Sequence, residues 1–178
     1  MSKIYLGAKF KNAQGSEFTV ISKTTVPHYW VVSFESGYTT TAKDSNIPYG
    51  KVKDYFSPSV YGKGFLGAAC RIPQRGDSIM RKKYDLWANM LKRTSGKYRE
   101  ATTYADVEVT PEWLNFSVFQ IEIESVEGYE AWLQDTSMCL DKDFHKQRLY
   151  SRATCKFISL EENSSESANR YWAANSEK

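Results

Sequence analysis

Glu17-Phe18-Thr19-Val20-Ile21 and Tyr29-Trp30-Val31-Val32-Ser33-Phe34 are two runs of β-branched and aromatic residues, the types that suit a pleated, half-buried surface. Turn-forming clusters bound them, Asn12-Ala13-Gln14-Gly15 before the first and Glu35-Ser36-Gly37 after the second. Working outward from this pair, residues 3–41 predict a small antiparallel sheet of three or four short strands, the centre of a β module over residues 1–50. A sheet of that size is marginal unless something covers one face. The module is therefore expected to lean on the rest of the chain or to pair with a second copy as a homodimer.

Residues 42–76 read as extended chain, with prolines at 48, 58 and 73 and glycines at 50, 62, 64, 67 and 76, and a connector is placed at residues 51–77. Lys51, Lys53, Lys63, Arg71 and Arg75 lie along it. A flexible cationic ribbon of this kind can follow a groove of double-stranded DNA and order there, although the glycines serve a plain linker equally well. The charge distribution fits a nucleic-acid footprint and a solvated charged surface alike. Residues 51–99 hold 12 Lys/Arg against 3 Asp/Glu, a net of +9, whereas residues 100–178 hold 7 against 15, a net of −8. Concentrated positive charge binds phosphate by releasing condensed counterions.

A helical segment is expected over residues 78–135. Its first helix starts near Asp77 or Ser78, where a capping side chain precedes Tyr84, Trp87 and Leu91 on one apolar stripe. Lys82, Lys83, Lys92 and Arg93 are read as lying largely off that stripe, available to phosphates. Val107 and Val109 alternate like a short strand. Thr110-Pro111-Glu112 then has the chemistry of a helix start, and Trp113, Phe116, Phe119 and Ile123 follow at helical spacing as a core face. A last helix is expected from Leu160 to about Ala174, weakened by Ser164, Ser165 and Ser167.

At 178 residues the chain can bury one sizeable core or two smaller ones, and its 15% aromatic content can serve packing or base stacking. No apolar run is long enough for a membrane span and the first residues lack a secretory apolar core, so a soluble cytoplasmic protein with no membrane partner is expected. Cys70, Cys139 and Cys155 are an odd number without a CxxC pair, which predicts free thiols. Hydrolase-elbow, Walker A and dinucleotide glycine signatures are absent from the sequence.

Residues 136–178 are the part that could carry chemistry. Leu140-Asp141-Lys142-Asp143-Phe144-His145, then Leu149-Tyr150-Ser151, Cys155-Lys156-Phe157-Ile158 and Glu161-Glu162-Asn163, read as strand, polar loop, strand and helix start. Asp141 and Asp143 are one residue apart, so at a strand end they project the same way and could hold a divalent cation with oxygen ligands. A solvated turn has the same pattern. His145 lies in a polar stretch, and His28, ahead of the Tyr-Trp strand, is expected to be structural.

Together with Gly50-Lys51-Val52-Lys53-Asp54, Pro58-Ser59-Val60-Tyr61-Gly62-Lys63-Gly64-Phe65-Leu66-Gly67, Tyr84-x-x-Trp87-x-x-Met90-Leu91-x-Arg93, Tyr104 and Glu112-Trp113-x-x-Phe116-x-x-Phe119, these motifs resemble the phage HNH endonuclease-like, or homing-endonuclease-like, DNA-binding proteins. The resemblance runs from about residue 5 to 163. It implies an α+β fold: a small N-terminal antiparallel β module, a basic connector, a helical middle and a C-terminal ββα-metal (His-Me finger) unit. It further implies double-stranded DNA as partner in a phage-infected bacterial cell. Asp141 and Asn163 would hold Mg²⁺ or another divalent cation, with Asp143 supporting the loop or the metal. Lys142 would stand where the family has its general-base histidine, and His145 is the nearby replacement. Lysine is protonated near neutral pH unless burial or cations depress its pKa, so two readings follow. One is a nuclease that nicks or cleaves DNA with metal. The other is a nuclease-inactive relative, acting as a DNA-binding regulator or as an anti-defence protein that binds a host protein.

Overall fold

The computed structural model describes residues 3–67, 72–74, 76–96, 104, 106–142 and 147–165, and shows a mixed α+β protein in two units, residues 1–71 and 72–178. No helix among the described residues is long and apolar enough to cross a membrane.

The first unit is built on a four-stranded antiparallel meander, β1 (Lys9–Lys11), β2 (Glu17–Lys23), β3 (Tyr29–Phe34) and β4 (Thr39–Lys43), in that spatial order. The alternation of buried and exposed residues puts Phe18, Val20, Val32, Phe34 and Ala42 on one face, where Ile47 and Val52 join them. The register shifts between Val20 and Ser22, a bulge that leaves Ile21 exposed. Aromatic rings continue the core beyond the strands: Phe18 to Phe34 at 5.2 Å, Phe34 to Tyr38 at 6.0 Å, Tyr38 to Phe56 at 5.6 Å and Phe56 to Phe65 at 5.8 Å. Residues 51–67, expected as an extended connector, thus fold back as turns on the module. Gly67 N donates to Tyr55 O at 2.8 Å, and Val60 bridges to Gly64. The signal for a connector was glycine and proline. Here these residues make turns instead, because Val52, Phe56 and Phe65 supply apolar surface that the sheet needs covered.

The second unit packs α1 (Ser78–Arg93) against short helices α2 (Pro111–Leu114) and α3 (Phe116–Glu122), a 3-10 turn (Ile123–Ser125) and α4 (Tyr129–Gln134). Asp77 caps α1, its side chain accepting from Met80 N. Trp87, Met90, Leu91, Trp113, Phe116, Phe119 and Ile123 are fully buried, and complete burial stabilises by roughly 1.5–3 kcal/mol per aliphatic or Phe side chain. The indoles of Trp87 and Trp113 are both satisfied, Trp87 Nε1 donating to Trp113 O at 2.7 Å and Trp113 Nε1 to Glu122 at 2.8 Å. The helix expected to run on from Thr110 breaks at Asn115. That residue takes an extended ψ of 112° and uses its side chain to cap α3 through Ser117 N at 3.0 Å. Thr110 makes no side-chain cap, so Pro111 and the first-turn Glu112 mark that start.

Strands β5 (Glu108–Val109) and β7 (Leu149–Tyr150) pair in parallel, and β6 (Met138–Asp141) pairs antiparallel with β8 (Lys156–Ser159). Helix α5 (160–165) follows β8. A capping box starts it: Glu162 N donates to Ser159 Oγ at 3.1 Å while Ser159 N donates to the Glu162 carboxylate at 2.9 Å. The remainder of the expected last helix lies outside the described residues.

Candidate nucleic-acid interface

Chain reversal after β4 builds a cationic wall. Asn46 N donates to Lys43 O at 2.8 Å, Lys51 N to Asn46 O at 3.0 Å and Gly50 N to Ile47 O at 3.1 Å, while Ile47 is anchored in the core. Gly50 has φ +63°, and a Cβ there would lie 2.6 Å from Lys11 O, so only glycine seats this turn against the β1–β2 hairpin. Residues 51–54 then alternate. Val52 and Asp54 point inward and Lys51 and Lys53 outward. Asp54 is buried and occupied, accepting from Ser36 Oγ at 3.1 Å and Phe56 N at 2.9 Å.

Between this wall and the end of β4 lies a cleft of about 370 Å³. Lys43, Lys51 and Lys53 supply its charge, Tyr29 and Tyr55 its rings, and Thr40, Thr41 and Asn46 its neutral polar groups, with no acidic residue in the lining. Tyr29 and Lys43 are direct cross-strand partners, so ring and ammonium share one patch. The nearby Asp44 is bound to His28 Nδ1 at 2.8 Å, a contact that holds its carboxyl below the usual range, and His28 sits in the β2–β3 loop at φ 66°. Lys51 also stands 5.9 Å over the ring of Tyr49, which is 64% exposed.

Of the residues singled out in the sequence, Lys51 and Lys53 line this cleft and Lys63 does not; partial burial lowers the pKa of Lys63. Arg71 and Arg75 lie outside the described residues. The cations of α1 are used internally. Lys82 donates to the carbonyls of Trp132 and Leu133 at the end of α4 and stands 4.5 Å over the Trp132 ring. Lys83 is buried, donating to Gln120 O at 2.9 Å and to Glu124. The expectation that these two lie off the packed face differs from the structure, where Lys82 is half-buried against the end of α4 and Lys83 is buried against α3. Lys83 is in fact four residues before Trp87 and eight before Leu91, on the stripe itself. Lys92 is half-buried in the last turn, and the Arg93 guanidinium lies 5.7 Å from Tyr104 and 5.9 Å from Tyr150.

The C-terminal residues form a different environment. Asp141 and Lys142 are both buried, and Lys142 stands 5.1 Å over Tyr104 and 6.0 Å over Tyr150. One carboxylate oxygen of Asp141 is buried without a hydrogen-bond partner. Burial pushes the Cys155 thiol up to about 11, and burial raises Cys139 as well, with the charge of Asp141 adding to both. Asp143 and His145 lie outside the described residues. Asn163 is half-buried on α5, whose other five residues are exposed, and the helix departs from the Ser137 end of the hairpin, where Leu160 N donates to Ser137 O at 2.8 Å. Asp141 pairs with Lys156 at the other end, about 10 Å along the strand. Among the described residues no three His, Cys, Asp or Glu side chains converge to hold a metal ion.

Lys43, Tyr29 and Tyr55 were not singled out by sequence. The available signal was Lys43 closing a threonine-rich strand shortly before the alternating Lys51 and Lys53. No family model, no curated protein and no solved structure matches the chain.

Proposed function

We propose that this protein binds DNA through the phosphate backbone, using the cleft of its N-terminal unit. The observation that carries this reading is the convergence of Lys43, Lys51 and Lys53 on one cleft whose lining includes no carboxylate. Over residues 1–71 the chain has 9 Lys/Arg against 4 Asp/Glu, a net of +5, so the unit attracts polyanions as a whole and the cleft localises the attraction. Such contacts give affinity without sequence information. The proposal is for binding. The antiparallel pair of β6 and β8 followed by α5 is what supports a nuclease-like C-terminal unit, although β7 intervenes in the chain and pairs with β5 instead.

The test is an electrophoretic shift with duplex DNA of several sequences over a range of salt. Affinity should fall steeply with salt and depend little on sequence. Replacing Lys51 and Lys53 together by glutamine should flatten the log–log salt slope by about 0.9 per lost phosphate contact. A double variant that binds with the slope of the original chain, or an original chain that shifts no DNA at low salt, refutes the proposal.

A further inference from the structure

We infer that the cleft takes a single strand in preference to a duplex, one unstacked base lying against Tyr29 while flanking phosphates rest on Lys43, Lys51 and Lys53. This rests on the phosphate-binding reading above and adds the strandedness of the ligand. Size is the first argument. A cleft of about 370 Å³ is at the small end of ligand sites and has room for a nucleotide unit, whereas a duplex keeps its bases inside and offers such a cleft only its backbone.

Wall chemistry is the second. The Tyr29 side chain is on the cleft rim, 39% exposed, and among the described residues no other ring or cation stacks on it. By contrast, the neighbouring Trp30 carries Lys23 at 5.2 Å and Tyr49 carries Lys51. A free aromatic face beside ammonium groups is what an extruded base requires, because every base has a π-face to stack. Thr40, Thr41 and Asn46 add donors and acceptors for a base edge, which a duplex backbone does not use.

Spacing is the third. Lys51 and Lys53 are two residues apart in extended chain, so their side chains leave the backbone about 6.6 Å apart. That separation is comparable to the step between successive phosphates of a stretched strand. An extended acidic peptide would meet the same lysines but would leave the Tyr29 face unused.

Fluorescence anisotropy of the full chain, with a labelled single-stranded oligonucleotide, a hairpin duplex and a polyglutamate peptide at low salt, tests the inference. The single strand should bind about tenfold more tightly than the duplex. Tyr29→Ala should weaken single-strand binding about tenfold and leave duplex binding unchanged, and Tyr29→Phe, which keeps the ring, should bind as the original chain does. Circular dichroism establishes that both variants fold. Duplex binding equal to or tighter than single-strand binding, or a folded Tyr29→Ala that retains full single-strand affinity, overturns the inference while the phosphate-binding reading stands. Failure to bind either DNA, or tighter binding of the peptide than of both, overturns the two together.

Discussion

The ammonium of Lys83 is held by Gln120 O at 2.9 Å and by Glu124, beneath the Tyr129 ring at 5.5 Å, and the residue is only 4% exposed. Lys83→Ala removes charge-assisted hydrogen bonds and the packing of the alkyl stem together. Glu124 is 57% exposed and rehydrates when its partner leaves, so the cost stays below that of breaking a fully buried pair. We expect a loss of about 2–3 kcal/mol in urea unfolding at neutral pH, with DNA affinity unchanged because the ammonium never reaches solvent. Charge in a sequence identifies a cation but not its address. The four-residue steps from Lys83 to Trp87 and Leu91 did hold the address, and they outweigh the usual preference of lysine for the surface because acceptors from α3 are waiting there. Asp141 and Lys142 stood out in the sequence as a metal ligand and a general-base position, and their burial, with Lys142 against Tyr104 and Tyr150, depends on contacts from distant parts of the chain, which no local pattern encodes.

Helix α4 is joined to β8 by close backbone approach. Gly128, at φ +83°, is its N-cap, Phe157 N donates to Glu127 O at 2.8 Å, and Trp132 stacks on Phe157 at 5.0 Å. A Cβ at Gly128 would lie 2.8 Å from Phe157 O. Gly128→Ala therefore meets both left-handed backbone strain and a steric clash with a strand, and should cost about 2–4 kcal/mol, read as a lower urea midpoint with an unchanged slope. At this scale much was legible. The strands of the first sheet and the core stripe of α1 follow from alternation and four-residue spacing, which are local properties. The break at Asn115 was not, because Trp113, Phe116 and Phe119 keep the same face buried whether or not the helix is continuous. Periodicity records which residues are inside, and a change of direction between two short helices leaves that record intact.

For the whole molecule, folding redistributes what the sequence lists in order. The cationic block of residues 51–99 divides between the units, several of its charges in the second unit are engaged within it, and residues 72–178 as a whole hold 15 Lys/Arg against 17 Asp/Glu. Burial in that unit also sets its response to alkali. Cys155 has an ordinary pKa of 9.0 raised to about 11, and burial raises Tyr150 too, so the folded chain keeps protons that the unfolded chain releases. Stability from Cys155 is complete below pH 9 and is lost as pH rises towards 11, at up to about 1.4 kcal/mol per pH unit. Urea midpoints measured across that interval should fall, and Cys155→Ala should fall less steeply. The seat of Gly50 under the Lys11 carbonyl has a consequence of its own. It makes the lysine wall a fixed jaw, clamped at its root to the β1–β2 hairpin. Lengthening the Asn12–Ser16 turn would slacken the jaw and blunt its grip with every lysine still in place.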